Sequence, residues 1–113
     1  MPRGQERGQP FSANANYASA QTNTELVAAR TGESFFITDL IISNGANAGT
    51  VKIVRNTAAS ADVLGPYYLP INGSIVIKFS EPVAVNAGQN IGVTSITVTT
   101  HTVTISGYSA PAG

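Results

Sequence analysis

The sequence predicts a single all-β domain, a sandwich or barrel of about eight antiparallel strands. From Thr22 onward, short β-branched runs alternate at regular intervals with Gly, Asn and Pro, a spacing typical of such folds. Two Asn-Gly dipeptides, at 44–45 and 72–73, each follow one apolar run and precede another, which predicts two hairpin turns. No segment has the apolar period of an amphipathic helix.

The strands can be placed from β-branched and aromatic runs and from alternation along them. In the run near 74–79, Ile75 and Ile77 share one face and Lys78 lies on the other. Near 101–109, Val103 and Ile105 likewise share a face. The predicted strands lie near 24–30, 34–43, 50–56, 66–70, 74–79, 83–85, 89–98 and 101–109.

The first 21 residues differ from the rest and are predicted to form a flexible N-terminal arm, which leaves 22–113 as the β-sandwich domain. They are rich in Gly, Pro, Gln, Asn and Ser, and neither a helical nor a strand period is evident. Such a segment is either a disordered tail or an arm that orders against a partner. In the second case four side chains are the candidate contacts: Arg3, Arg7, Phe11 and Tyr17.

The run "SFFITDLIIS" (34–43) is apolar on both faces. Regular alternation places Phe36, Leu40 and Ile42 on one face. The other face then holds Phe35, Ile37 and Ile41. Two explanations remain open: a loop covers the outer face, or the outer face packs against another subunit. The second makes Phe35, Ile37 and Ile41 the candidate subunit-interface residues.

Charge and cysteine content exclude several classes of function. Six basic and six acidic residues cancel, and only 11% of residues are charged, so no attraction to nucleic acid or to an anionic membrane is expected. No apolar run is long enough for a membrane helix. The chain has no cysteine, so it cannot gain stability from disulfides, and oligomerisation remains as a way for a small domain to do so.

Residues for catalysis or cofactor binding are sparse, so the sequence predicts neither an enzyme nor a cofactor. The single histidine, His101, cannot assemble a zinc site alone, and it is expected to be a partly exposed structural residue. The carboxylates after the arm show no motif spacing. Tyrosines could instead stack on sugar rings, and the candidates are Tyr67, Tyr68 and Tyr108.

The stretch "INGSIVIKFSEPVAVNAGQNIGV" (71–93) marks a corner of the fold. Pro82 lacks a backbone N–H, so it should end a strand or occupy an edge or a bulge. Ala87-Gly88 then turns the chain into the next strand. A strand that breaks at a proline and resumes in a new direction suits a chain passing between two sheets.

Residues 22–109 resemble small tailed-phage virion proteins of the decoration, or cement, type. The resemblance rests on "TNTELVAARTGESFFITDLIISN", on "GTVKIVRN", on "LGPYYLPINGSIVIKFSEPVAVNAGQNIGV" and on the closing "HTVTISGYS". Within these lie a "GP" before a short strand, an "NG" turn, an "AGQ" turn and a Gly before an aromatic at Gly107-Tyr108.

This resemblance implies a jelly-roll core similar to tumour-necrosis-factor-like domains. It further implies a homotrimer bound to the major capsid protein on the outer surface of the virion, after synthesis in the bacterial cytoplasm. Such a protein reinforces the shell and has no catalytic activity. The alternative is a tail-fibre module, or a receptor- or carbohydrate-binding one. The segment 1–20 lies outside the resemblance: either it supplies the contacts with the capsid, or it is a flexible tail.

Overall fold

The computed structural model describes residues 9–58 and 61–111, and these form two packed antiparallel sheets without a helix. The first sheet has the strand order β1-β8-β3-β6 and the second β2-β7-β4-β5. This confirms the predicted all-β sandwich. The strands are β1 (Gln9–Tyr17), β2 (Thr24–Val27), β3 (Glu33–Asn44), β4 (Gly49–Arg55), β5 (Ala61–Leu69), β6 (Ser74–Ala84), β7 (Ile91–Ile96) and β8 (His101–Pro111).

The strand pairing is that of a jelly roll. Each strand of the first half pairs antiparallel with its counterpart in the second half: β1 with β8, β2 with β7, β3 with β6 and β4 with β5. The chain is therefore one long hairpin, rolled up so that β8 also pairs with β3 and β7 with β4. Consecutive strands alternate between the sheets except at the β4–β5 tip, which confirms the predicted jelly roll.

Apolar side chains from the inner faces of both sheets form one core. Most fully buried residues come from β3, β4, β7 and β8, as expected for the central strands of each sheet. Val103 and Ile105 face inward as predicted, while Thr102 and Thr104 lie on the outer face. The principal core residues are Phe11, Phe35, Ile37, Leu40, Ile42, Val51, Ile53, Leu69, Val85, Ile91, Val93, Val98, Val103 and Ile105.

A β-bulge at Thr38 explains why β3 is apolar on both faces in the sequence. Ile37 faces Gly107 and Asp39 faces the next residue, Ser106, so Thr38 is the extra residue. The bulge reverses the alternation, and residues on either side of it, such as Ile37 and Leu40, therefore point to the same face. The assignment of faces by regular alternation was wrong.

Residues 9–17, predicted to be part of a flexible N-terminal arm, form strand β1. This strand pairs with β8 along its whole length, from Gln9 opposite Ser109 to Tyr17 opposite His101. Its inward side chains, Phe11 and Tyr17 among them, pack on the core. The expected boundary at residue 21 is therefore wrong for this segment, and the predicted absence of a strand period was also wrong.

Neither Asn-Gly dipeptide closes a hairpin. Asn44-Gly45 leads from the first sheet to the second, and Asn72-Gly73 leads back again. The two connections bond to each other, since Asn44 N–H donates to Gly73 O at 2.8 Å and Asn72 N–H donates to Gly45 O at 2.9 Å. Asn72 does adopt the left-handed conformation, with φ of 58°.

Pro82 lies where its missing N–H is tolerated, as predicted. It belongs to β6, the edge strand of the first sheet. The pairing with β3 is irregular there, because the partners jump from Lys78 to Val83 across Phe79–Pro82. The predicted strands 74–79 and 83–85 are therefore one bulged strand, and the chain passes to the second sheet only after Ala84.

Candidate interaction surfaces

The four predicted partner contacts divide into two groups. Arg3 and Arg7 lie outside the described residues. Phe11 is only 8% exposed, and its ring packs edge-on against Phe35 with the centroids 4.9 Å apart. Tyr17 also packs against the core. The assignment of Phe11 and Tyr17 as partner contacts is therefore corrected: their rings stabilise the domain itself.

The three predicted subunit-interface residues divide as well. Phe35 and Ile37 are fully buried in the core of their own chain, because the bulge at Thr38 turns both inward. They have no surface left for a partner, so that prediction is corrected. Ile41 lies beyond the bulge on the outer face of the first sheet and is 39% exposed. It stays a candidate.

A second exposed apolar side chain lies directly beside Ile41. Val76 of β6 is its partner in the β3–β6 register, and it is 67% exposed. Because residues in register on one face lie about 5 Å apart, the two form one surface, named here the Ile41–Val76 patch. Sequence reasoning did not pair Val76 with Ile41, because the register depends on the bulges.

The outer face of the second sheet has its own exposed apolar row. Tyr68 and Ile96 are the two neighbours in register of Thr50, one on each side. Tyr68 is 67% exposed, whereas Tyr67 packs against the core and burial raises the pKa of its hydroxyl. Of the tyrosines considered for sugar stacking, Tyr68 has its ring open to solvent, while Tyr108 stacks on Phe36 at 5.1 Å.

His101 is buried rather than partly exposed, which corrects the sequence expectation. It is 2% exposed at the start of β8, because its side chain faces the core opposite Tyr17. His101 Nδ1 lies 2.7 Å from Thr99 O, which fits an Nδ1–H donor. Within the described residues, His101 Nε2 and the Tyr17 hydroxyl are buried without a partner, and burial raises the pKa of Tyr17.

Three carboxylates of the described residues bond different neighbours rather than one another. Asp62 pairs with Lys52 at 3.0 Å, and Asp39 lies 3.9 Å from Lys78. Glu33 accepts from Ser109 Oγ at 2.6 Å, and this hydroxyl in turn accepts from Arg30 at 2.7 Å. Between residues 9 and 58 and between 61 and 111, no three potential metal ligands cluster, no pocket forms, and no helix could span a membrane.

Comparisons with known proteins find similarity of structure. No protein-family model matches the sequence, and no curated protein matches it. The globular domain of zebrafish complement 1qA protein superposes with a TM-score of 0.53 at 11% identity, over 88% of this chain and 95% of that one. The nucleoplasmin-like N-terminal domain of Drosophila FKBP39 gives 0.46 at 10% identity, over 93% and 95%.

The SPBc2 prophage-derived protein YomS gives a TM-score of 0.38 at 13% identity, over 86% of this chain and 94% of that one. Of these three structures, the zebrafish domain alone exceeds a TM-score of 0.5. At 11% identity this likeness shows a shared fold and nothing more specific. The chain is therefore a jelly-roll β-sandwich, similar in fold to the globular domain of complement 1qA.

Proposed function

We propose that this protein is a structural virion protein that decorates a phage capsid. In this proposal it binds as a homotrimer to the major capsid protein on the outer surface of the shell and stabilises the head. The observation that carries the proposal is the Ile41–Val76 patch, two exposed apolar side chains in register on one sheet face. Apolar surface of this kind marks contact sites between proteins.

The surroundings of the patch favour contact with another protein. The next rows on this face hold Ser43 with Ser74 on one side and Asp39 with Lys78 on the other, so apolar side chains are rimmed by polar ones, as in a protein interface. The low charge of the whole chain, 11% of residues, reduces repulsion between identical subunits.

The second apolar row, Tyr68 and Ile96, lies on the opposite face of the sandwich from the patch. A subunit with two separate apolar surfaces can contact two different neighbours at once. In the proposed assembly one surface meets the other subunits of the trimer and the other remains for a different contact. Arg3 and Arg7 are the proposed contacts with the capsid, and three arms acting together strengthen weak individual contacts.

We expect Val76→Asp to dissociate the trimer. A carboxylate buried at a subunit contact costs several kcal/mol without a partner, which corresponds to at least about a hundredfold weaker association. The side chain is exposed in the single chain, so the domain itself should stay folded. Sedimentation or light scattering at micromolar concentration measures the change.

The control is Ala46→Asp, which adds the same charge at an exposed position in the β3–β4 connection. It should leave the trimer unchanged. A wild-type protein that is monomeric at these concentrations would contradict the trimer proposal. So would a Val76→Asp protein that remains a trimer.

We expect Arg3→Ala/Arg7→Ala to weaken binding to phage heads that lack the protein by at least tenfold. The three arms of a trimer act together, so a small loss per arm multiplies. Co-sedimentation with purified heads, followed by electron microscopy of the decorated particles, provides the measurement. The matched control is Arg30→Lys, since Arg30 contacts Ser109 within its own domain. Wild-type protein that does not bind the heads, or that is found at the tail, would overturn the decoration role.

A further inference from the structure

The four edge strands of the sandwich differ in how well they are protected against pairing with another strand. A free strand edge is usually blocked by charge, proline, a bulge or short length. Strand β6 has Lys78, Glu81, Pro82 and a bulge. Strand β5 has Asp62, Pro66 and two register shifts. Strand β2 is four residues long, contains Glu25 and is also irregular.

Strand β1 has none of these devices after Pro10. Residues 11–17, "FSANANY", contain no charge, no proline and no glycine, and their register with β8 is regular. Within the described residues, the backbone of β1 pairs with β8 alone, apart from Gln9 O, which lies 3.5 Å from Arg30 Nη1. As far as residues 9–58 and 61–111 are concerned, its outer edge therefore presents a row of unpaired N–H and C=O groups, which an extended peptide backbone would complement.

The sequence of this edge indicates which strand would fit. "FSANANY" has nearly the same pattern in both directions about Asn14: aromatic, polar, Ala, Asn, Ala, polar, aromatic. Two copies run antiparallel about a two-fold axis through Asn14 would place Asn14 opposite Asn14. They would also place Ala13 opposite Ala15 and Phe11 opposite Tyr17.

The side chains on the two faces of β1 are compatible with this register. Ser12, Asn14 and Asn16 are exposed on the outer face, so their hydroxyl and amide groups would meet one another across the seam. Phe11 and Tyr17 lie on the core side of β1, where their rings pack within their own domain, so the pairing would rest on the backbone edge and on the outer polar side chains. No like charges would meet, because residues 9–17 contain no charged side chain.

We propose that β1 is a self-association edge, at which two copies of this chain pair antiparallel with Asn14 opposite Asn14 and join two four-stranded sheets into one of eight strands. The contact is isologous. It lies on the strand edge rather than on the Ile41–Val76 patch, so it is independent of the proposed trimer and can link one trimer to the next.

Single cysteines test both the pairing and its register, since the chain has no cysteine of its own. Facing Cα atoms in an antiparallel pair are about 4.5–5.5 Å apart, within the range that a disulfide requires. Under mild oxidation Asn14→Cys should therefore form a disulfide-linked dimer as its main product. Ser12→Cys alone and Asn16→Cys alone should not, because each would lie about 14 Å from its own copy. An equal mixture of those two proteins should cross-link.

A charge at the centre of the edge provides the second test. Asn14→Lys places two ammonium groups opposite each other, so the two-fold association should weaken at least tenfold in sedimentation. Ser80→Lys, on the already protected β6 edge, is the control and should have no effect.

Three results would overturn the proposal: no cross-link with Asn14→Cys, Ser12→Cys cross-linking alone as well as Asn14→Cys, or Asn14→Lys associating like the wild type. If the third result is accompanied by a loss of binding to phage heads, the edge serves another protein. In the Val76→Asp background the Asn14→Cys cross-link should persist. A failure of the proposed trimer, or of its binding to phage heads, can thus be distinguished from a failure of the proposed pairing of two copies at β1.

Discussion

Deleting residues 1–20 should unfold the domain, whereas deleting residues 1–8 should leave it folded. The longer deletion removes β1, which pairs with β8 over nine residues and covers Phe35 with the ring of Phe11. Loss of one buried phenylalanine side chain alone costs about 3–5 kcal/mol, and a domain has only about 5–15 kcal/mol of stability. Loss of Tyr17 beside His101 adds to this.

Circular dichroism and thermal unfolding of the two truncated proteins measure the difference. The protein without residues 1–8 should retain the β spectrum and a cooperative transition, because the described first strand starts at Gln9. The protein without residues 1–20 should lack the transition or aggregate. A cooperative transition near the wild-type temperature after the longer deletion would contradict the role of β1.

The second large effect is expected for Gly107→Ala. The bulge at Thr38 brings the backbone of β3 close over Gly107, so an added Cβ would lie 2.0 Å from Phe36 O and 3.1 Å from Ile37 Cα. Both are backbone atoms of the central strands, which cannot yield without breaking the β3–β8 pairing. Overpacking at a rigid position costs about 3 kcal/mol, or roughly 12–24 °C in Tm for a domain of this size.

Gly88→Ala is the matched control. Gly88 has φ of +72°, but the space where an added Cβ would lie is open. The substitution should therefore lower the free energy of unfolding only by the strain of the left-handed conformation, about 1 kcal/mol. Chemical denaturation of both variants separates the two costs. If Gly107→Ala is as stable as the wild type, or no worse than Gly88→Ala, the close approach of β3 to β8 is not as described.

Local alternation predicted the parts of the fold whose strands are regular. Val103 and Ile105 face inward from β8, and Lys78 faces outward from β6, as the spacing of their neighbours indicated. Pro82 was placed at an edge or bulge because its missing N–H is a property of the residue itself. These inferences succeeded because period-2 burial is decided within one strand.

Strand β1 was missed because its alternation consists mostly of small and polar residues. Ala, Asn and Ser have low β-propensity, so "FSANANY" resembles a flexible segment when considered alone. It forms a strand because β8 offers a complete pairing partner far away in the sequence, with Gln9 opposite Ser109 and Tyr17 opposite His101, and because the ring of Phe11 packs against Phe35. Both conditions are non-local.

The candidate site depended on tertiary structure even more. One inserted residue, Thr38, buries Phe35 and Ile37 and leaves Ile41 on the surface. No local signal distinguishes that bulge from regular alternation, because it is defined by the register between strands. The pairing of Ile41 with Val76 and the exposure of Tyr68 rather than Tyr67 follow from registers of the same kind.

The sequence by itself determined the all-β class, the absence of cysteine chemistry and the low charge, because these follow from composition and period-2 spacing. Only the tertiary structure decided that residues 9–17 belong to the sandwich, which apolar side chains reach the surface and which strand edge is unpaired within the described residues. Those features depend on which strands meet and in what register, and pairs such as β1 with β8 join the two ends of the chain.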